Sequence, residues 1–215
     1  MPVPEHERRP GLPWIRFGIV LALIAIDLWS KQAVFAWIGP GAEARADLER
    51  HNCGHPRYPI LGDWFALMTT ENPGMAFGRF GDWPRVLVFG RIAAVLFLIV
   101  ALWRASRSHR LIVAGLVCVL AGAVGNLYDN LFREPVEGRP FGKVRDFLDV
   151  YFARWDWHFP TFNVADACIT IGAVCFILHS LFVRDEPEAP DEPPGEPPGE
   201  PPAESKPGPA PDSPT

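Results

Sequence analysis

Apolar residues in this chain gather into four long blocks: Phe17–Ile38, Val86–Trp103, Leu111–Tyr128 and Phe162–Val183. Each approaches or exceeds the roughly 20 residues a helix needs to cross a hydrocarbon layer of about 30 Å. Charges interrupt the blocks sparingly. Asp27 and Lys31 fall in the first, Arg91 near the start of the second, and Asp166 one turn into the fourth, while the third is uncharged until Asp129. Packed as a soluble core, four such runs would leave too little chain to cover them. The pattern therefore predicts four membrane-spanning helices. Arg8, Arg9 and Arg16 ahead of the first block could also mark a signal peptide. The apolar region of such a peptide spans about 7–15 residues, however, and this block runs on to Ile38.

Between the first two blocks, apolar and polar positions alternate over Trp64–Met68, bounded by Gly62-Asp63 and Asn72-Pro73-Gly74. That period predicts a short strand or hairpin on the membrane face. After the fourth block the pattern changes again, to Glu-Pro-Pro-Gly repeated at Glu192–Gly195 and Glu196–Gly199. Proline at that density excludes helix, and the segment has nothing to bury, so an extended disordered tail is expected. The expected organisation is an N-terminal segment over 1–16, a four-span body over 17–184 and the tail over 185–215. The fold class is an all-α membrane protein of four helices, with a small extracytoplasmic β-rich cap.

Composition corrects one impression. The net charge of −5 and the 48% apolar content suggest an ordinary acidic soluble protein. Residues 185–215, however, hold twelve of the 24 prolines and nine of the 25 acids, against one base, Lys206. The remaining chain has 19 bases and 16 acids and is slightly basic. No face-wide basic excess marks a nucleic-acid binder. The short loop Arg104–Arg110 carries three arginines and no acid, so it is expected in the cytoplasm, with both termini on that side. The two longer loops are then outside. Trp14, Trp37, Trp83, Trp103, Trp155 and Trp157 fall near the expected span ends, as an interfacial aromatic belt would.

Ionisable residues at membrane depth cost a few kcal/mol or more and are functional candidates by default. Here Asp129, Asp146, Asp149 and Asp166 converge on the outer leaflet by topology. Asn126 and Asp129 stand three apart, as do Asn163 and Asp166, so each pair shares a helix face. Two carboxylates held close share a proton. One can then deprotonate water while the other protonates a carbonyl oxygen, which hydrolyses a peptide without metal or covalent intermediate. Structural roles compete: Asp146 adjoins Arg145, and Asp166 could cap the fourth helix. A proton- or ion-coupled transporter using the same aspartates is the alternative by spacing.

Five blocks in order carry a resemblance: Asp27-Leu-Trp-Ser-Lys31, Asn72-Pro-Gly-Met-Ala-Phe-Gly78, Ala121-Gly-Ala-Val-Gly-Asn-Leu-Tyr-Asp129, Val144-Arg-Asp-Phe147 and Phe162-Asn-Val-Ala-Asp166. Over about residues 14–183 the chain resembles the signal peptidase II family, the lipoprotein signal peptidases of the bacterial inner membrane. The resemblance implies a four-span aspartic endopeptidase with its active site near the outer leaflet. Its substrate would be a prolipoprotein bearing a diacylglyceryl-modified cysteine, cut just before that cysteine. It implies Asp146 and Asp166 as the catalytic pair. Asn126, Asp129 and Asn163 would surround them, Asn72 and Gly74 would line the substrate groove, and Asp27 and Lys31 would form a supporting ion pair. No cofactor and no metal are implied. The partners are the lipid-modified substrate and membrane lipid, with a monomer the simplest state.

Two departures stand out. Asn130 occupies the position where the family carries arginine, with Arg133 the nearest replacement. The segment from Leu131 to Lys143 is longer than the pattern leads one to expect. Cys118, Cys168 and Cys175 read as small apolar fillers in spans. His51-Asn-Cys-Gly-His55 has too few donors, with no second cluster, for a zinc site.

Overall fold

A computed structural model describes residues 13–38, 49–50, 56–72, 84–106, 109–135 and 140–182. Among these, four helices are long and apolar enough to cross a membrane. They are α1 (Pro13–Ile38), α2 (Pro84–Arg104), α3 (Arg110–Phe132) and α4 (Val164–Phe182). Proline opens α2, where its missing N–H lacks a helical partner anyway. At the other end of α2, Arg16 of α1 donates to the carbonyls of Leu102 (3.2 Å) and Ala105 (2.7 Å), satisfying groups the helix leaves open.

The helix limits shift from the sequence reading. Helix α1 starts at Pro13, inside the stretch expected to precede it. Helix α3 continues to Phe132, so Asp129 lies within it rather than at its end. Nothing between Asp129 and Phe132 breaks a helix, and the chain turns away only just before Pro135.

Helix α3 is central and packs on the other three helices. Its buried face includes Leu116, Leu120, Gly122, Gly125 and Asn126. Where α3 meets α4, a Cβ on Gly122 would overlap the carbonyl oxygen of Ala165 and come within 2.7 Å of Ile169. In lipid there is no hydrophobic drive between helices, so small residues that admit close backbone contact set the packing. The outward faces are apolar: Leu21, Phe97, Val100, Ile177 and Leu181 are all exposed.

A five-stranded antiparallel sheet in order β1-β2-β3-β4-β5 stands beside the helices. Its strands are β1 (Glu49–Arg50), β2 (Pro56–Leu61), β3 (Phe65–Asn72), β4 (Val144–Phe152) and β5 (Trp157–His158). The expected hairpin is β2–β3, turning at Gly62 with φ +51°, a conformation glycine adopts freely. The segment expected as a loop around Asp146 is instead the nine-residue β4, paired with β3. The stretch 73–83 with Gly74 and Trp83, the His51–His55 cluster and the tail after residue 182 lie outside the described residues.

Candidate active site

The register between β3 and β4 builds one wall. Asp146 lies opposite Thr70, and Val144 opposite Asn72. Side chains two apart in a strand share a face, so Asn72, Val144 and Asp146 present together. Asp149, three residues from Asp146, falls on the other face. There its carboxylate is held by Arg57 Nε (2.8 Å) and His158 Nδ1 (2.8 Å), fully buried. The expected convergence of four carboxylates thus divides, because a strand alternates its side chains.

The second wall is the start of α4. Phe162 bridges to β4, accepting from the N–H groups of Phe147 (3.0 Å) and Leu148 (2.8 Å) and donating to Leu148 (3.1 Å). That clamp brings the next residue, Asn163, beside Asp146. The Asp166 N–H donates to Asn163 Oδ1 at 2.9 Å, and the Asn163 N–H donates to Asp166 Oδ2 at 3.2 Å. This reciprocal pairing is a capping box, with aspartate in the role usually taken by glutamate. Capping therefore fixes Asp166 and leaves Oδ1 for a further partner.

Two amides link the carboxylates. Asn163 Nδ2 donates to Asp146 Oδ1 (2.6 Å) and to Asn126 Oδ1 (3.2 Å), while Asn126 Nδ2 donates to Asp166 Oδ1 (2.8 Å). Lys31 Nζ donates to the same Asn126 oxygen at 3.0 Å. Behind this chain lies a buried ion network. Lys31 pairs with Asp27 at 2.7 Å and with Asp129 at 3.6 Å, and Asp27 Oδ1 accepts the Ala165 N–H at 2.8 Å. Gly125 makes room for it, since a Cβ there would lie 2.5 Å from Asp27 Oδ2. Arg145 grips Asp129 through Nη2 (2.7 Å) and its own backbone N–H (3.0 Å). Asp129 is thus spent on Arg145 and Lys31 and does not face the catalytic candidates.

Asp146 and Asp166 open on one cavity of about 810 Å³, whose polar lining also includes Asn72, Asn126 and Arg91. Trp157, Phe159, Pro160, Phe162 and Ile171 make much of the rest apolar. Burial first, and then the neighbouring charge of Asp166, push the Asp146 carboxyl up to about 7. Hydrogen bonds from Asn72 and Asn163 and the charge of Lys31 pull the other way. Among the described residues, no three His, Cys, Asp or Glu side chains converge on a metal position.

A family model described as Signal peptidase (SPase) II matches residues 19–182. The chain belongs to the signal peptidase II family. It is 34% identical over 177 residues to the lipoprotein signal peptidase of Solibacter usitatus, covering 80% of this chain and 93% of that protein. It is 42% identical over 133 residues to the one from Desulforapulum autotrophicum, covering 60% of this chain and 76% of that protein. Two solved bacterial membrane enzymes share the fold at 19% identity, with TM-scores of 0.62 and 0.59. They cover 82% and 83% of this chain and 93% and 100% of their own.

In this signal peptidase II chain, three features escape the sequence reading. Arg91 reaches the cavity from α2 and donates to Asn130 Oδ1. The rule applied to aspartates at membrane depth covers this arginine equally. Arg133, the expected replacement for the absent family arginine, instead pairs with Glu71 (3.0 Å) and donates to the Lys143 carbonyl (3.3 Å). The Arg57–Asp149–His158 cluster depends on strand pairing and has no local signal.

Proposed function

We propose that this protein is a membrane aspartic endopeptidase that removes the signal peptide from prolipoproteins bearing a diacylglyceryl-modified cysteine. Cleavage falls at the peptide bond before that cysteine. The observation that carries the reading is the opening of Asp146 and Asp166 on one cavity, with their carboxylates joined through Asn163 and Asn126.

The chemistry follows from one shared proton. With Asp146 protonated and Asp166 ionised, Asp166 takes a proton from water as the water oxygen bonds to the scissile carbonyl carbon. Asp146 gives its proton to the carbonyl oxygen, forming a neutral gem-diol. The C–N bond then breaks: the Asp166 proton goes to the leaving cysteine nitrogen, and a diol proton returns to Asp146. The asparagines hold both carboxylates in place through the cycle, which is general acid–base catalysis by positioned groups. The apolar part of the cavity suits acyl chains or the apolar core of a signal peptide. The cavity end of the bundle is assigned to the outer leaflet of the inner membrane, where water enters from outside, with both termini cytoplasmic. Asn72 lines the groove beside Asp146, and Asp27, Lys31 and Asp129 hold the framework.

The transporter alternative would need acids spread through the membrane depth. Asp27, the deeper one, is neutralised by Lys31. Purified protein should cleave a diacylglyceryl-modified prolipoprotein at the cysteine. Asp146→Asn and Asp166→Asn should each lower the rate by at least about a thousandfold while still inserting in the membrane. Full activity in either variant would overturn the assignment.

A further inference from the structure

Arg91 lies two turns into α2, among residues otherwise apolar from Val86 to Trp103. A guanidinium at such depth is costly unless partnered or used. Asn130 on α3 orients it. The buried Asn130 amide donates through Nδ2 to the Gly142 carbonyl at 2.9 Å, which directs its Oδ1 to Arg91 Nη1. Asn130 is a neutral partner, and no ion pair among the described residues joins Arg91 to a carboxylate. Arg91 nevertheless lines the cavity with Asp146 and Asp166. A guanidinium has five N–H donors and accepts nothing, so its free donors look for an oxygen in the cavity.

We propose that Arg91, set by Asn130, is a substrate-binding residue that donates to a carbonyl oxygen of the bound lipopeptide. This rests on the peptidase reading and deepens it. A phosphate or carboxylate in that place would be repelled by the negative charge of the aspartate pair, whereas a neutral carbonyl would not. The proposed substrate has carbonyls of two sources: the acyl esters on the glyceryl group and the peptide amides. Either is served by the same fork of donors. Asn130 is a positioning residue, acting only through Arg91.

The test uses the full-length protein in detergent micelles and two lipopeptides of one sequence, the first carrying diacyl ester chains and the second the matching dialkyl ethers. Wild-type cleavage of the diester substrate comes first, and its failure would bring down the peptidase reading rather than this one. Arg91→Gln should raise KM by about 10- to 100-fold, the span of a lost hydrogen bond to a charged group, with kcat changed far less. Arg91→Lys keeps the charge without the fork and should fall between, which also covers poor folding of the glutamine variant. Asn130→Ala should shift KM in the same direction by less. A KM rise confined to the diester places the contact on an ester carbonyl, and a rise on both places it on a peptide carbonyl. Unchanged KM for both substrates, or loss in kcat alone, would overturn the proposal.

Discussion

At the scale of single residues, the asparagines tell as much as the aspartates. Asn163 caps α4, holds Asp146 and passes a hydrogen bond to Asn126, which in turn holds Asp166. One amide thus ties secondary structure to candidate chemistry. The raised Asp146 pKa has two consequences. If Asp146 must begin the cycle protonated, cleavage should fall about tenfold per pH unit once pH rises past about 7, measurable as a pH profile of kcat/KM. Stability carries the same sign. The folded protein keeps a proton on Asp146 that an unfolded carboxyl releases near pH 4, so stability falls as pH climbs from about 4 to about 7. Asp146→Asn removes that buried charge. Its thermal midpoint should exceed that of the wild type at pH 8, and the advantage should shrink as pH falls from about 7 towards about 4.

At the scale of elements, two periodicities sort the candidate residues. The strand period sends Asp146 to the cavity and Asp149 to Arg57 and His158. On α3, Asn126 faces the start of α4, while Asp129 and Asn130, one turn on, face Arg145 and Arg91. The α3–α4 contact depends on the missing side chain at Gly122. Gly122→Val should force these helices apart and lower stability by about 1–3 kcal/mol, the usual range for overpacking a tight contact. A loss of several degrees in the midpoint of a detergent-solubilised sample would register it. An unchanged midpoint would mean that α4 can shift without cost. Because Ala165 follows Asn163 and precedes Asp166, activity should fall with the packing.

At the scale of the whole molecule, Arg145 and Phe162 join the sheet to the helices. Arg145 lies on β4 and binds Asp129 of α3 and, through Nη1, Gln32 of α1 at 3.0 Å. Phe162 continues the pairing of β4 into the start of α4. The family match ends at residue 182, the last residue of α4. The body over 17–184 is therefore proposed as the catalytic unit. Truncation after Arg184 should leave cleavage of purified prolipoprotein within about twofold of the full chain; a loss of tenfold or more would give the acidic tail a part in the reaction.

The four apolar helices and the hairpin were legible in the sequence, where Asp146 and Asp166 stood among four candidate acids and only the motif resemblance singled them out. Span length, strand alternation and the cost of charge in lipid are properties of local runs. The motif blocks added the family. Partners close in sequence were legible, as Lys31 was for Asp27, but those from distant segments were not. Asn72 reaches Asp146 only through the β3–β4 register, and Asp129 is withdrawn from the site by an arginine sixteen residues away in sequence. Arg91 and Asn130 meet across two helices. Such pairings join segments distant in the chain, and no local pattern encodes which face of one packs against which face of another. The sequence by itself determined the four apolar helices, the hairpin and the candidate acids; only the tertiary structure decided that the segment around Asp146 is a strand and which carboxylates share a cavity, because strand pairing and burial depend on segments distant in the chain.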